Sequence, residues 1–205
     1  SNASLVCGDG GAGIFSDPTD EFGFEVASDD ENGISDGVIL SSGGVQNIEG
    51  NNASTGATVS HYLPGDSDLD ILTTASTRDA CVLEFDFETP PGVSEVTFNY
   101  VFGSEEYPEY VNSSYNDVFG FFADGENVAL LPDGTPVAIK NVNNVIPANE
   151  EYYIDNTSGL LETEMDGLTT TLSTAALPVE FGMTHHIKLA IADAGDTAFD
   201  SHVLI

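Results

Sequence analysis

The chain has 205 residues, with three Lys or Arg against 35 Asp or Glu, and a formal net charge of −32. Affinity for a phosphate backbone comes from Lys and Arg that displace its counterions, so a chain with only Arg78, Lys140 and Lys188 is no nucleic-acid binder, and anionic membrane surfaces are excluded likewise. Hydrophobic residues make up 40% of it, including 12 Phe and 7 Tyr, which is enough to bury a core and too much for an acidic solvating tail.

In chain order, Ser1, Asn2 and Ala3 read as the remnant of a tag. Residues 4–32 read as a Gly- and Asp-rich loop or edge of the same domain as residues 33–205. No basic segment followed by an apolar one opens the chain. No run reaches the roughly 20 apolar residues of a bilayer span, so no membrane insertion by this domain is expected. One capped helical turn is expected from Asp66 to Thr73. The clearest strand is Ala80 to Glu88, with Cys81, Leu83, Phe85 and Phe87 on a core face and Val82, Glu84, Asp86 and Glu88 on an acidic one. Val96, Phe98, Tyr100 and Phe102 repeat the alternation. Further strands are expected at Val118 to Phe122, Val137 to Val142 and Ile187 to Ala192, the last so continuously apolar that it reads as central. Turns at Pro90-Pro91-Gly92, Asp124-Gly125, Pro132-Asp133-Gly134 and Asp166-Gly167 divide them, two of these closing hairpins. The spacing predicts a single-domain Greek-key or jelly-roll β-sandwich of about eight to ten strands with acidic loops gathered at one end. Ile205 falls within a strand pattern, so the sequence is read as part of a longer anchored or secreted chain.

Cys7 and Cys81 belong to no CxxC or zinc-like spacing, and two readings stay open: one long-loop disulfide, or two buried thiols. Four acidic clusters stand out: Asp66, Asp68 and Asp70; Glu84, Asp86 and Glu88; Glu105, Glu106, Glu109 and Asp117 with Asn116; and Asp193, Asp196 and Asp200. Carboxylates gathered without Lys or Arg must be kept apart by water, share protons or hold a cation. Calcium suits them best, because it takes six to eight oxygen ligands from flexible loops of this composition. Asp66, Asp68 and Asp70 resemble the start of an EF-hand loop. Ile71 stands where that loop needs Gly and Thr77 where it needs Glu, so it is not one.

Two alternatives compete with calcium. Acidity can serve solubility alone, as in a structural spacer or a protein adapted to high salt. Alternatively, Glu84 with Asp86, or Glu105 with Glu106, would be the acid and base of a carbohydrate-active enzyme, with Tyr107 or Tyr110 as sugar platforms. Adjacent Glu105 and Glu106 project to opposite faces of extended backbone, which argues against them as one catalytic pair. His185 and His186 face opposite ways for the same reason and read as structural. His61 and His202 stand beside no nucleophile motif. Sequons occur at Asn52, Asn112 and Asn156.

The stretch FGSEEYPEYVNSSYNDVFGFF, Phe102 to Phe122, resembles the choice-of-anchor L domain of bacterial surface proteins. GVILSSG (Gly37 to Gly43), PGDSDLDIL (Pro64 to Leu72), DACVLEFDF (Asp79 to Phe87), YYIDN (Tyr152 to Asn156), DGLTTTL (Asp166 to Leu172) and HIKLAIADAGDTAFDS (His186 to Ser201) continue the likeness from about Gly33. The resemblance implies an extracellular or cell-surface location and supplies no catalytic residues. The combined expectation is a non-enzymatic, calcium-binding adhesion or recognition module whose ligand is a glycan or a cell-surface protein.

Overall fold

The computed structural model describes residues 2–16, 34–146 and 148–205; the Asp-rich stretch with Asp29 and Asp30 lies outside them. The fold is all-β, with fifteen strands among the described residues. The first six are β1 (Ala3–Val6), β2 (Ala12–Ser16), β3 (Asp36–Ser41), β4 (Thr77–Glu88), β5 (Glu95–Val96) and β6 (Asn99–Ser104). Next come β7 (Val118–Ala123), β8 (Glu126–Asn127), β9 (Val137–Ala138), β10 (Tyr153–Asp155) and β11 (Gly167–Thr169). The last are β12 (Leu172–Ser173), β13 (Leu177–Pro178), β14 (Thr184–Ala194) and β15 (Ser201–Leu204). Eight of them have four residues or more; the other seven are pairs or triplets too short to carry a visible alternation, which is why turn spacing gives a smaller number. Val137 to Val142 is not one strand: after β9 the chain winds into a 3-10 turn, Ile139–Asn141, that buries Ile139. Asp66 to Thr73 is a run of turns, in which Asp66 Oδ1 accepts the N–H groups of Asp68 and Leu69 and lets Leu69 reach the interior.

One sheet runs β1-β4-β14-β7-β8 with β9 on β7, and a second runs β10-β11-β6-β15-β3-β2 with β12 on β6; β13 and β5 form a small ribbon. All pairings are antiparallel. β14, the continuous apolar run, is central, bonded to β4 on one side and β7 on the other. β1 and β2 are edges of different sheets. The main core lies between the two layers, where Phe119, Phe121, Ile187, Leu189 and Ile191 of the first sheet meet Leu40, Tyr100, Phe102 and Val203 of the second. Alternation sends the intervening residues outward, so Val101, Leu168 and Leu204 pack in a separate apolar group on the outer face of the second sheet.

The chain crosses between the sheets four times at one end: from β1 to β2 through residues 7–11, from β3 to β4 through 42–76, from β6 to β7 through 105–117, and from β14 to β15 through 195–200. The registers put these together, since Ser104 faces Ser201, His202 faces Ser41, and Ala194 faces Thr77. The loop 156–166 enters there too, because Gly167 pairs with Ser104. Cys7 and Cys81 form a disulfide, closing the alternative of free thiols. The register makes the bridge local: Val6 faces Val82, so one further step sets the two cysteines across from each other. The bond closes a loop of 74 residues in sequence separation, for which the chain-entropy model gives about 4 kcal/mol. Reduction, or Cys7→Ala with Cys81→Ala, is expected to lower the thermal midpoint by roughly 10 °C in a differential scan.

Candidate functional site

Two groups of carboxylates are built at the crossover end, one on each face of the second sheet. In β6, Tyr100, Phe102 and Ser104 face the space between the sheets, while Val101 faces outward. Past the strand end the chain enters a turn, and the two glutamates part company there: Glu105, its N–H still on the Asp200 carbonyl, lies with Asp166 and Glu164 on the outer side, and Glu106 lies with Asp117 between the sheets.

The inner group lies between the sheets. Ser201 Oγ is 2.8 Å from Ser104 Oγ and donates to Asp117 Oδ2 at 2.7 Å, joining the two layers. The Ala194 N–H donates to Asp117 Oδ1 at 2.9 Å. Val118 pairs with Ala192, so the next step of the register sets Asp117 beside Asp193, whose side chain bonds to Ser42. Glu106 is 0% exposed, and neither of its carboxylate oxygens has a hydrogen-bond partner. Asp193 Oδ1 is buried and unpartnered as well. Desolvation first, then the charges of Asp117 and Asp196, push the Glu106 carboxyl well above the usual range. Desolvation likewise raises Asp117 against its bonds from Ser201 and Ala194, and raises Asp193, with Asp117 as its strongest charged neighbour. Asp196, half-buried, accepts the Ala198 N–H and shares this field.

The outer group contains Glu105, Asp166 and Asp200. The Glu105 N–H donates to the Asp200 carbonyl, and Glu105 Oε2 accepts the Ala57 N–H at 2.9 Å. Asp200 has its oxygens filled by the N–H groups of Gly44 and Val59 and by the Asn47 amide. Gly43 is needed beneath it, because a Cβ there would lie 1.9 Å from Asp200 Oδ2. Desolvation, followed by the charges of Asp166, Glu164 and Asp200, lifts Glu105 to about 8, opposed by the Ala57 bond. Asp166 is lifted to about 6, again chiefly by desolvation, with the exposed Glu109 its strongest charged neighbour. Asp79, which no acidic cluster of the sequence includes, fastens the same end by accepting the N–H groups of His61 and Leu63.

The remaining candidates lie elsewhere or are already partnered. Asn116 spends its amide bridging the Lys140 N–H and Thr73 Oγ1. Asp66 and Asp68 do have a cation: Lys188 Nζ lies 2.8 and 2.7 Å from the Asp66 oxygens and 2.6 Å from Asp68 Oδ2. Asp70 is held below the usual carboxylate range by the Thr77 N–H and hydroxyl. Glu84 and Asp86 stand on the outer face of the first sheet beside His186, whose Nδ1 is 2.8 Å from Asp86 Oδ1. His185 turns the other way, to Asp124. Tyr107 is fully buried, with its hydroxyl on the Val142 carbonyl, and so offers no platform to a sugar; Tyr110 packs on Tyr115 and Phe199. Of the sequon asparagines, Asn112 is exposed, whereas Asn156 is buried and organises its own loop by donating to the Thr163 and Met165 carbonyls. In the sequence Asp166-Gly167 shows only as a turn, and Glu164, Ser42, Ser104 and Ser201 do not stand out at all; their one signal is the register, which requires the sheets.

Among the described residues, no three His, Cys, Asp or Glu side chains stand together ready to hold a metal ion, and no helix is long and apolar enough to cross a membrane. Residues 3–205 match the model of the choice-of-anchor L domain, so the likeness reaches back past Gly33 to β1. Neither a curated protein nor a solved structure matches the chain. The match associates the domain with surface or exported proteins and with an anchoring module more than with catalysis. It spans essentially the whole chain, which belongs to the choice-of-anchor L domain family.

Proposed function

We propose that the domain is an extracellular recognition module whose crossover end is set by calcium bound at the inner group, and that the loops so fixed contact a glycan or a cell-surface protein. The observation that carries this reading is Glu106, buried with both oxygens unpartnered beside Asp117 and Asp193 and with no Lys or Arg bonded to any of the three. A buried carboxylate without a partner is unfavourable by several kcal/mol when ionised, so at neutral pH it either keeps its proton or finds a cation. Calcium is the hard, oxygen-seeking ion for such a set, and small movements of three loops would draw the oxygens around it. The disulfide suits an exported protein, as thiols stay reduced in most cytosols. Exposed Tyr62, together with Tyr110, Tyr115 and Phe199, supplies apolar surface for a ligand on the crossover segments.

Thermal unfolding in excess chelator and in millimolar calcium, at constant high ionic strength, tests the metal. Binding at 100 times Kd adds about 2.7 kcal/mol, a rise of roughly 5–10 °C that magnesium should not reproduce. Glu106→Gln should reverse sign between the two conditions, raising the midpoint in chelator at pH 8, because the wild-type carboxyl must take up a proton to fold, and lowering it in calcium by removing a ligand. An equal midpoint with and without calcium would end the calcium reading. Glycan arrays probed with labelled domain should show binding in calcium that chelator abolishes.

The metal-free domain should also lose stability with rising pH. A carboxyl whose folded pKa is raised binds its proton more tightly when folded, so its contribution is complete below about 4 and is lost as pH rises through the folded value, about 8 for Glu105. Each such group contributes a slope of about 1.4 kcal/mol per pH unit while the folded state holds the proton and the unfolded chain does not. His202, pushed down to about 4 by burial, opposes this only below 6.5, where its unfolded form begins to charge. His186, raised by its bond to Asp86, adds a loss of the same sign as the carboxyls. Denaturant titrations in chelator from pH 6.5 to 9 should therefore show falling stability, and calcium should flatten most of the trend.

A further inference from the structure

We propose that the outer face of the second sheet holds a second cation site, separate from the inner group, in which Glu105 and Asp166 with Glu164 bind a hard divalent ion beneath the segment 51–59. The site goes beyond the proposed function: it shares with it only the preference of carboxylates for such an ion and uses no oxygen of Glu106, Asp117 or Asp193.

The placement follows from backbone pairing. Gly167 faces Ser104 and Leu168 faces Gly103, so the next antiparallel step sets Asp166 beside Glu105. Leu168 belongs to the outer apolar group, and alternation gives Asp166 the same face. Each of the two carboxylates is anchored through one oxygen and leaves the other unused. Glu105 Oε2 takes the Ala57 N–H and Asp166 Oδ1 takes the Asn52 amide at 2.7 Å, while Glu105 Oε1 and Asp166 Oδ2 are buried with no partner. The residues are 1% and 2% exposed. Glu164 Oε2 is fastened to the Ala53 N–H at 3.0 Å, so three carboxylates from two loops grip one segment.

Burying one unpartnered carboxylate oxygen is unfavourable; two in neighbouring register positions also repel, and no Lys or Arg pairs with either. The three carboxylates do not stand together as a finished metal site; a divalent ion that draws the two free oxygens toward it removes both penalties, while the anchored oxygens continue to hold the segment. Backbone carbonyls and water can complete the six to eight oxygens calcium needs. The Asn52 amide also donates to the Asn156 carbonyl, tying the segment to the loop that carries Asp166, so the ion would lock both together.

Calorimetric titration of the disulfide-intact domain with calcium chloride, run on wild type, Asp117→Asn and Asp166→Asn, separates the sites. Two ions per chain are expected for wild type and one for each variant. Asp166→Asn keeps the shape that Asn52 bonds; Glu164→Gln, on a half-buried side chain, provides a second variant and should weaken the outer site about tenfold or more. In Asp117→Asn, calcium should slow exchange of the Ala53 and Ala57 N–H groups on the order of tenfold, a local protection that the inner site does not produce. An Asp166→Asn chain that binds as many ions as wild type with unchanged Kd would overturn the outer site. One ion lost in Asp166→Asn and kept in Asp117→Asn would uphold it and remove the inner one, and no binding by wild type would remove both.

Discussion

The burial of carboxylates that have no basic partner is the constraint around which one end of this molecule is arranged. Glu105, Glu106, Asp117, Asp166, Asp193 and Asp200 are all nearly inaccessible, and the ion pairs that Lys188 makes lie on another face. Asp200 and Asp79 show how the fold tolerates such groups: their oxygens are filled by N–H donors from the crossover segment. A carboxylate with two or three such bonds acts as a clamp on a loop. Glu106 does not, and the contrast between it and Asp200 separates an acid used for structure from one left with unused binding capacity.

Topology explains why both kinds occur together. Four crossovers between sheets have to begin and end at the same rim, because strands paired antiparallel in β2, β3, β15 and β6, and in β1, β4, β14 and β7, share their register there. Long crossovers leave N–H groups with no ladder to join, and short acidic side chains at strand ends are the nearest acceptors. The Ser201 hydroxyl, between Ser104 and Asp117, ties the sheets across the same rim. Cys7 and Cys81 close it from the N-terminal side, since β1 pairs with β4 up to the bridge.

Much of the scaffold is legible in the sequence, for a physical reason. Strands buried on one face must alternate, and Cys81, Leu83, Phe85 and Phe87 do; β14 is covered on both faces and bonded on both edges, and its run from Ile187 to Ala192 is apolar throughout apart from Lys188. Glu105 and Glu106 do lie on opposite sides, but in a turn beyond the end of β6 and not in the extended backbone from which that was expected. Pairing between distant strands leaves no local trace, so nothing in the chain announces that Asp166 comes beside Glu105, that Asp117 comes beside Asp193, or that Lys188 reaches Asp66 across 122 positions. Composition misleads in that last case, because three cations among 35 acids suggest that every cluster is unpaired, whereas one of the three lies where DxDxD needs it.

Division of the acids between two faces of one sheet bears on how the end would respond to cations. The inner group lies between the layers, where Ser201 joins them, so an ion there would act on the separation of the sheets. The outer group lies under the segment 51–59 and is bonded to it at Asn52, Ala53 and Ala57, so an ion there would act on a loop already docked on the finished sheet. The two effects are separable in principle because the backbone of β6 stands between them, its side chains alternating faces. On the proposed function, layer closure and surface presentation are then distinct consequences of the same chemistry. On that reading, a single Glu-Glu step past the end of one strand would supply the first ligand of each.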